Sequence, residues 1–168
     1  MTKWRYQQAF SLSELLLVLV IFSALLLIAI PNLQDVFAKN RARAYAEALK
    51  AALKFTRTSA ILRGESVVFC GSTDHKECDG KWQNGQIIKA KSGRVLRVLP
   101  QVFADDKLWW KGGGSEKGVV FLANGFTKSQ IGSFFYKPRN STKKNVQITL
   151  LSTGRVRIEN NYVKNHRF

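Results

Sequence analysis

Acidic residues are scarce in this 168-residue chain: 11 Asp and Glu stand against 27 Lys and Arg, for a net charge of +16. That shortage argues against magnesium-dependent nuclease chemistry, which needs clustered carboxylates to hold the metal. The nearest pair, Asp105-Asp106, is adjacent in sequence and has no third acid in support. Only two histidines occur, His75 and His166, both in polar surroundings without a matching nucleophile or acid pair. Gly112-Gly113-Gly114 lacks the Lys-Ser/Thr that would follow in a phosphate-binding loop. Two cysteines are too few for a disulfide-framework protein. No internal repeat appears. The chain therefore reads as a non-enzyme, without metal or cofactor.

What is abundant is positive charge. It favours anionic partners, namely nucleic acid, acidic lipid or acidic polysaccharide. Only Lys3 and Arg5 precede the apolar stretch, so the rest of the chain keeps +14 of the total. The length allows one ordinary domain plus a targeting element. Hydrophobic residues make up 45% of the chain, but they are concentrated early. Leu12–Ile30 is a run of 19 residues, apolar except for Ser13, Glu14 and Ser23. As a helix it would span about 29 Å, close to the ~30 Å of a bilayer core. Lys3 and Arg5 hold the N-terminus on the cytoplasmic side. A cleaved secretory signal fits poorly, because the only cut candidate, Ala29, has Leu27 before it and Ile30-Pro31 after it. A carboxylate inside such a run costs several kcal/mol and marks function by default; the bland alternative sets Glu14 in the headgroup zone. Pro31 is expected to kink the helix without ending it.

Ala9-Phe10-Ser11-Leu12-Ser13-Glu14, followed directly by the apolar run, resembles the prepilin peptidase site of type IV pilins and pseudopilins. The resemblance implies cleavage between Ala9 and Phe10 on the cytoplasmic side, methylation of the new N-terminus and retention of the helix. It implies that Glu14 pairs with the N-terminal amine of a neighbouring subunit during assembly. It also implies the partners: prepilin peptidase, the inner membrane and other pilins. The location would be single-pass in the inner membrane with a periplasmic domain, then the pilus fibre or its tip. Ala9 stands where the family usually has glycine.

From Asn32 to about Arg63 the pattern is helical. Leu33, Val36, Phe37, Tyr45, Ala48, Leu49, Ala52, Leu53 and Ile61 recur at three- and four-residue steps, and Gly64 is a plausible stop. Beyond it the segments 66–70, 82–90, 94–98, 119–122, 133–137, 146–151 and 155–159 read as strands, with 111–118 as a flexible loop. The expected organisation is a leader (1–9), a transmembrane and filament-core helix (10–31), an extracytoplasmic half of that helix (32–63) and a β-rich domain (64–168). The fold class is α+β, a long N-terminal helix packed against an antiparallel sheet with a C-terminal hairpin. Cys70 and Cys78 have only His75 near them, short of the four ligands of a zinc site. A reduced core pair is one reading; a disulfide fits an exported domain better.

Val67-Val68-Phe69-Cys70, then Cys78, Trp82 and Gly85, then Val95-Leu96-Arg97-Val98 and Phe121-Leu122-Ala123-Asn124-Gly125, resemble in order the FimT/GspH group of minor pilins and pseudopilins. Thr153-Gly154-Arg155-Val156-Arg157-Ile158 looks like the Gly-Arg-x-Arg motif of FimT-type pilins, which bind DNA in natural transformation. The physical reading is independent of the name. In a hairpin turning at Thr153-Gly154, alternation sets Val156 and Ile158 on one face and Arg155 and Arg157 on the other, ~6.6 Å apart. Guanidinium forks suit phosphate oxygens.

Charge around the motif is concentrated. From Tyr136 to the C-terminus, Lys137, Arg139, Lys143, Lys144, Arg155, Arg157, Lys164 and Arg167 face Glu159 alone. Solvation alone is the competing explanation, because exposed strand edges often carry Lys to block aggregation. Trp109 and Trp110 could stack on bases, although adjacent tryptophans more often place one ring in the core. The leading expectation is a minor pilin that binds duplex DNA through phosphate contacts without reading sequence. The alternatives are a GspH-like pseudopilin of type II secretion or a pilus-priming subunit, and adhesion to an acidic polysaccharide or lipid.

Overall fold

The computed structural model describes residues 11–103, 105–139 and 145–159, the side chains of 28–32, 34 and 35 excepted. The chain divides into two compact units, Met1–Phe37 and Ala38–Phe168.

Helix α1 spans Leu12–Arg63. Ser11 caps its start: the Glu14 amide donates to Ser11 Oγ at 3.3 Å, and the Ser11 carbonyl accepts from Glu14 and Leu15 at 3.1 and 3.2 Å. Amides that would otherwise lack partners are thereby satisfied, and Glu14 in the first turn suits the positive end of the helix dipole. The helix continues through Pro31. In the first unit the large apolar side chains from Leu12 to Leu27 are exposed. Among the described residues no helix is long and apolar enough to cross a membrane. The described side chains of the span expected over residues 10–31 stop at Leu27, whereas the sequence run ends at Ile30 and Phe10 lies outside the description. What remains falls short of the ~20 residues a bilayer crossing needs.

In the second unit α1 buries Ala38, Ala42, Ala46, Leu49, Leu53, Thr56 and Ala60 at steps of three and four. The seam is mostly alanine, which lets strands approach the helix backbone closely. Of the residues expected to form the apolar face, Leu49, Ala52 and Leu53 are buried, whereas Leu33, Val36, Phe37 and Ile61 are exposed. Thr56 keeps its buried hydroxyl satisfied by donating to the Ala52 carbonyl at 2.8 Å. Gly64, with φ +64°, ends the helix by donating to the Ile61 carbonyl.

Eight strands follow: β1 (Val67–Gly71), β2 (Gln86–Ala90), β3 (Val95–Leu99), β4 (Lys107–Gly112), β5 (Gly118–Phe121), β6 (Gly132–Lys137), β7 (Val146–Leu150) and β8 (Val156–Glu159). They form two four-stranded sheets, ordered β3-β2-β1-β5 and β4-β6-β7-β8. Every pairing is antiparallel. Two differences from the sequence reading stand out. The expected single sheet is two, and β4 occupies ground partly assigned to a loop. Trp82, expected within β2, precedes it instead. Its ring lies in the core beside Phe134, centroids 4.9 Å apart, while its Nε1 donates to the Glu116 carbonyl.

One core joins α1 to both sheets. At its centre Tyr45 of α1 stacks on Tyr136 of β6 at 4.5 Å, and the Tyr45 hydroxyl donates to Gln86 of β2 at 3.2 Å. Burial raises the pKa of both phenols. Asp106, 4% exposed, takes the Tyr136 hydroxyl and the Arg139 amide (2.8 Å), with Arg41 of α1 at 3.3 Å. A single carboxylate thus ties the helix to the second sheet. Cys70 and Cys78 are joined in a disulfide, closing a short loop worth about 2–3 kcal/mol in chain entropy.

Candidate nucleic-acid interface

The second sheet ends in a hairpin. β7 and β8 pair from Gln147 with Glu159 to Leu150 with Val156. Between them the Leu151 amide bonds the Arg155 carbonyl at 3.0 Å and the Gly154 amide bonds the Leu151 carbonyl at 2.9 Å. Gly154 has φ +75°, and a Cβ there would lie 2.5 Å from the Gly125 carbonyl oxygen. The glycine that precedes the arginines is therefore needed for its backbone and for its missing side chain.

This turn rests on a second one. The Thr127 amide donates to the Ser152 carbonyl at 2.9 Å, while Gly125 closes its own turn onto Leu122 at 2.8 Å. Beneath both runs Arg57 of α1, its Cδ and Nε 3.1 Å from the position of a Gly154 Cβ. Arg57 Nε is buried and makes no hydrogen bond among the described residues. Exposed Lys128 follows Thr127 to the same corner.

On β8 burial alternates. Val156 is buried and Ile158 half-buried toward the core, whereas Arg155 and Arg157 are exposed. Neither arginine takes part in an ion pair among the described residues. β8 is the last strand of its sheet, so Arg157 stands at an edge as well as on a face, with Arg155 just before the strand begins.

The other expected cations are placed differently. Lys137 lies half-buried on the same face but at the opposite end of β6, opposite Lys107. Strand spacings set Lys137 and Arg157 roughly 16 Å apart, or about five rises along one strand of a duplex. Arg139 is paired with the Asp105 carboxylate and its amide is held by Asp106, so it is partly neutralised. Lys143, Lys144, Lys164 and Arg167 lie outside the described residues, as do Ala9 and Phe10. Glu14 is exposed in the first turn of α1.

Sequence reasoning missed Arg57 and Lys128. The one signal available for Lys128 was its closeness to the Asn124-Gly125 turn. Arg57 reaches the corner only through helix packing, which local spacing does not reveal. Among the described residues no three His, Cys, Asp or Glu side chains gather where they could hold a metal ion.

Residues 45–154 match the family model described as Type II transport protein GspH, and residues 4–30 match the prokaryotic N-terminal methylation motif. Among solved structures, the fold is similar to the type IV minor pilin FimU of Pseudomonas aeruginosa. In one crystal form the TM-score is 0.62 at 21% identity, covering 76% of this chain and 95% of that one. A second crystal form gives 0.57 at 20% identity, with coverage of 74% and 97%. The minor pseudopilin EpsH of Vibrio cholerae gives 0.54 at 12% identity, with coverage of 71% and 97%. No curated protein sequence matches the chain.

Proposed function

From the premise that the chain belongs to the GspH family of pilin-like proteins, we propose that it is a minor type IV pilin that holds DNA by its phosphates during uptake. The observation that carries the reading is the exposure of Arg157 on edge strand β8 and of Arg155 immediately before it, with no acid paired to either among the described residues. A subunit that only assembles has no need of two unneutralised guanidinium groups over a glycine turn fixed in place from below. Arginine forks at this spacing take consecutive phosphate oxygens on one strand without reading bases. Lys128 and Lys137 lie where they extend the contact, and Lys143, Lys144, Lys164 and Arg167 add charge on either side of the hairpin in sequence. Arg139 contributes less, because Asp105 competes for it.

At the other end, the proposal takes Ala9-Phe10 as the site of cleavage and methylation. The helix after it becomes the membrane anchor and then the filament core, with Glu14 pairing a neighbour's N-terminal amine. The match to the methylation motif over residues 4–30 supports this part.

The test is a titration of mixed-sequence duplex DNA with the full chain in neutral detergent at two salt concentrations, beside Arg155→Gln/Arg157→Gln. Losing two phosphate contacts should flatten the slope of log affinity against log salt by about 1.8. Because both side chains point away from the core, the thermal midpoint of the variant should stay near that of the parent. Equal slopes, or no binding by the parent at low salt, would leave the second reading, a GspH-like pseudopilin of type II secretion, in keeping with the family description Type II transport protein GspH.

A further inference from the structure

The outer face of the second sheet carries an aromatic pair that the core does not use. Trp110 turns inward and is 8% exposed, whereas its neighbour Trp109 turns outward and is 36% exposed. Trp109 lies opposite Phe135 on β6, and their rings stack with centroids 5.5 Å apart and planes 15° from parallel. A stacked cross-strand pair adds a little to sheet stability, about 0.2–1 kcal/mol, while leaving part of the tryptophan face open to solvent.

The surroundings point to a ligand. Register places the pair in a row running Trp109, Phe135, Gln147, Glu159 across the four strands. The row on one side runs Lys111, Ser133, Thr149, Arg157; on the other side Lys107 faces Lys137. Cationic rows therefore flank the rings about 6.8 Å away on both sides, two residues along each strand. The polar floor is tied together, with Gln147 Nε2 donating to Ser133 Oγ at 3.0 Å and to Thr149 Oγ1 at 3.3 Å. The one carboxylate among the described residues of these rows, Glu159, lies at the β8 edge and accepts from the Thr149 hydroxyl.

We propose that this face is a stacking platform for unpaired bases, so that the protein takes single-stranded DNA on Trp109 and Phe135 with flanking phosphates on Lys107, Lys137 and Arg157. The inference rests on the DNA-holding reading above and extends it from phosphates to bases. Aromatic rings between cations are what single strands need, since every base has a face to stack and every nucleotide a charge. A duplex offers its phosphates to the same cations but keeps its bases away from the rings.

The experiment compares three probes with the full chain in neutral detergent, read by fluorescence anisotropy: a short oligothymidylate, an abasic strand of equal length and charge, and a duplex. The parent should bind the oligothymidylate about tenfold more tightly than the abasic strand, the worth of one stacked base. Trp109→Leu should remove most of that difference while leaving abasic and duplex binding within about twofold, and Trp109→Phe should restore part of it. Equal binding of oligothymidylate and abasic strand by the parent overturns the platform even if a variant fails to fold. So does a Trp109→Leu loss that is the same for all three probes, and so does the absence of any loss. If the parent binds none of the three, the DNA-holding reading falls and the platform falls with it. Binding of duplex without base preference sinks the platform alone.

Discussion

Gly154→Ala tests whether the hairpin that presents Arg155 and Arg157 is anchored to the rest of the domain or merely lies near it. Two costs add at this position. The backbone has φ +75°, where an L-residue with a Cβ loses about 1–2 kcal/mol. The new Cβ would also lie 2.5 Å from the Gly125 carbonyl oxygen and 3.1 Å from Arg57. That oxygen belongs to backbone held by the bonds from Gly125 to Leu122 and from Thr127 to Ser152, so it cannot simply turn aside. Overpacking of this kind costs about 1–3 kcal/mol, for a total of roughly 2–5 kcal/mol. Gly64→Ala is the internal control. Gly64 has a similar φ of +64°, but nothing lies within 4 Å of the Cβ it would gain, so only the conformational cost applies. Thermal unfolding of the full chain in neutral detergent, followed by near-ultraviolet circular dichroism, should show Gly154→Ala melting well below Gly64→Ala. The gap should be roughly 5–10 °C for a domain of this size. A gap smaller than about 0.5 kcal/mol would mean that the two turns are not pressed together, and the support assigned to the arginines from below would be refuted.

Two further outcomes follow from other parts of the domain. Asp106→Asn removes the charge facing Arg41 and the strongest acceptor of the Tyr136 hydroxyl, and should cost about 2–3 kcal/mol in urea unfolding. That is less than the loss of a fully buried pair, because Arg41 is partly exposed and can turn to water. Asp105→Asn, which breaks only the exposed pair with Arg139, should cost under about 1 kcal/mol, and equal losses would contradict the junction role of Asp106. The second outcome concerns Asp74, whose pKa is lowered from 3.8 to about 2, first by the Glu77 amide and then by that of Lys76. A depressed carboxylate stabilises the fold above its unfolded pKa and loses that contribution as pH falls through its folded value. The stability difference between parent and Asp74→Ala should therefore hold above pH 3.8 and close between there and about pH 2, followed by unfolding midpoints across that range. A difference independent of pH throughout that window would place the cost elsewhere.

Much of the architecture was legible in the sequence because its signals are local. The stop at Gly64 and the strands around Val67–Cys70, Val119–Phe121 and Val146–Leu150 announce themselves within a few residues. So does the alternation of Val156 and Ile158 with Arg155 and Arg157. β4 was harder to read because Trp109 and Trp110 are equally large and apolar, and a strand that puts one in and one out looks like an unpatterned pair. The glycines that follow pulled the reading toward a loop. The helix seam is legible at Leu49, Ala52 and Leu53 but not at its ends, for a related reason. Leu33, Val36 and Ile61 carry more hydrophobicity than Ala42 or Ala46, but close helix–sheet packing selects small side chains rather than greasy ones.

The candidate site shows where local reading must stop. Its arginines and its glycine are neighbours in sequence, yet they act through different parts of the molecule. Arg155 and Arg157 face outward and make no contact the core depends on, whereas Gly154 faces inward against Gly125 and Arg57, which arrive from a loop and a helix far away in the chain. Cation counts alone made Arg139 equal to Arg157. Asp105, 34 residues before Arg139, separates them by pairing with the first and leaving the second open. Charge that matters for binding is the charge the fold leaves unpaired, and pairing is settled by register and packing. The row that aligns Arg157 with Thr149, Ser133 and Lys111 beside the rings of Trp109 and Phe135 is a product of strand order β4-β6-β7-β8, in which sequence-distant segments become neighbours. An exposed aromatic between cationic rows is thus a property of the sheet, and if the proposed platform holds DNA, a variant that disturbs register should lose base preference before it loses salt-dependent binding.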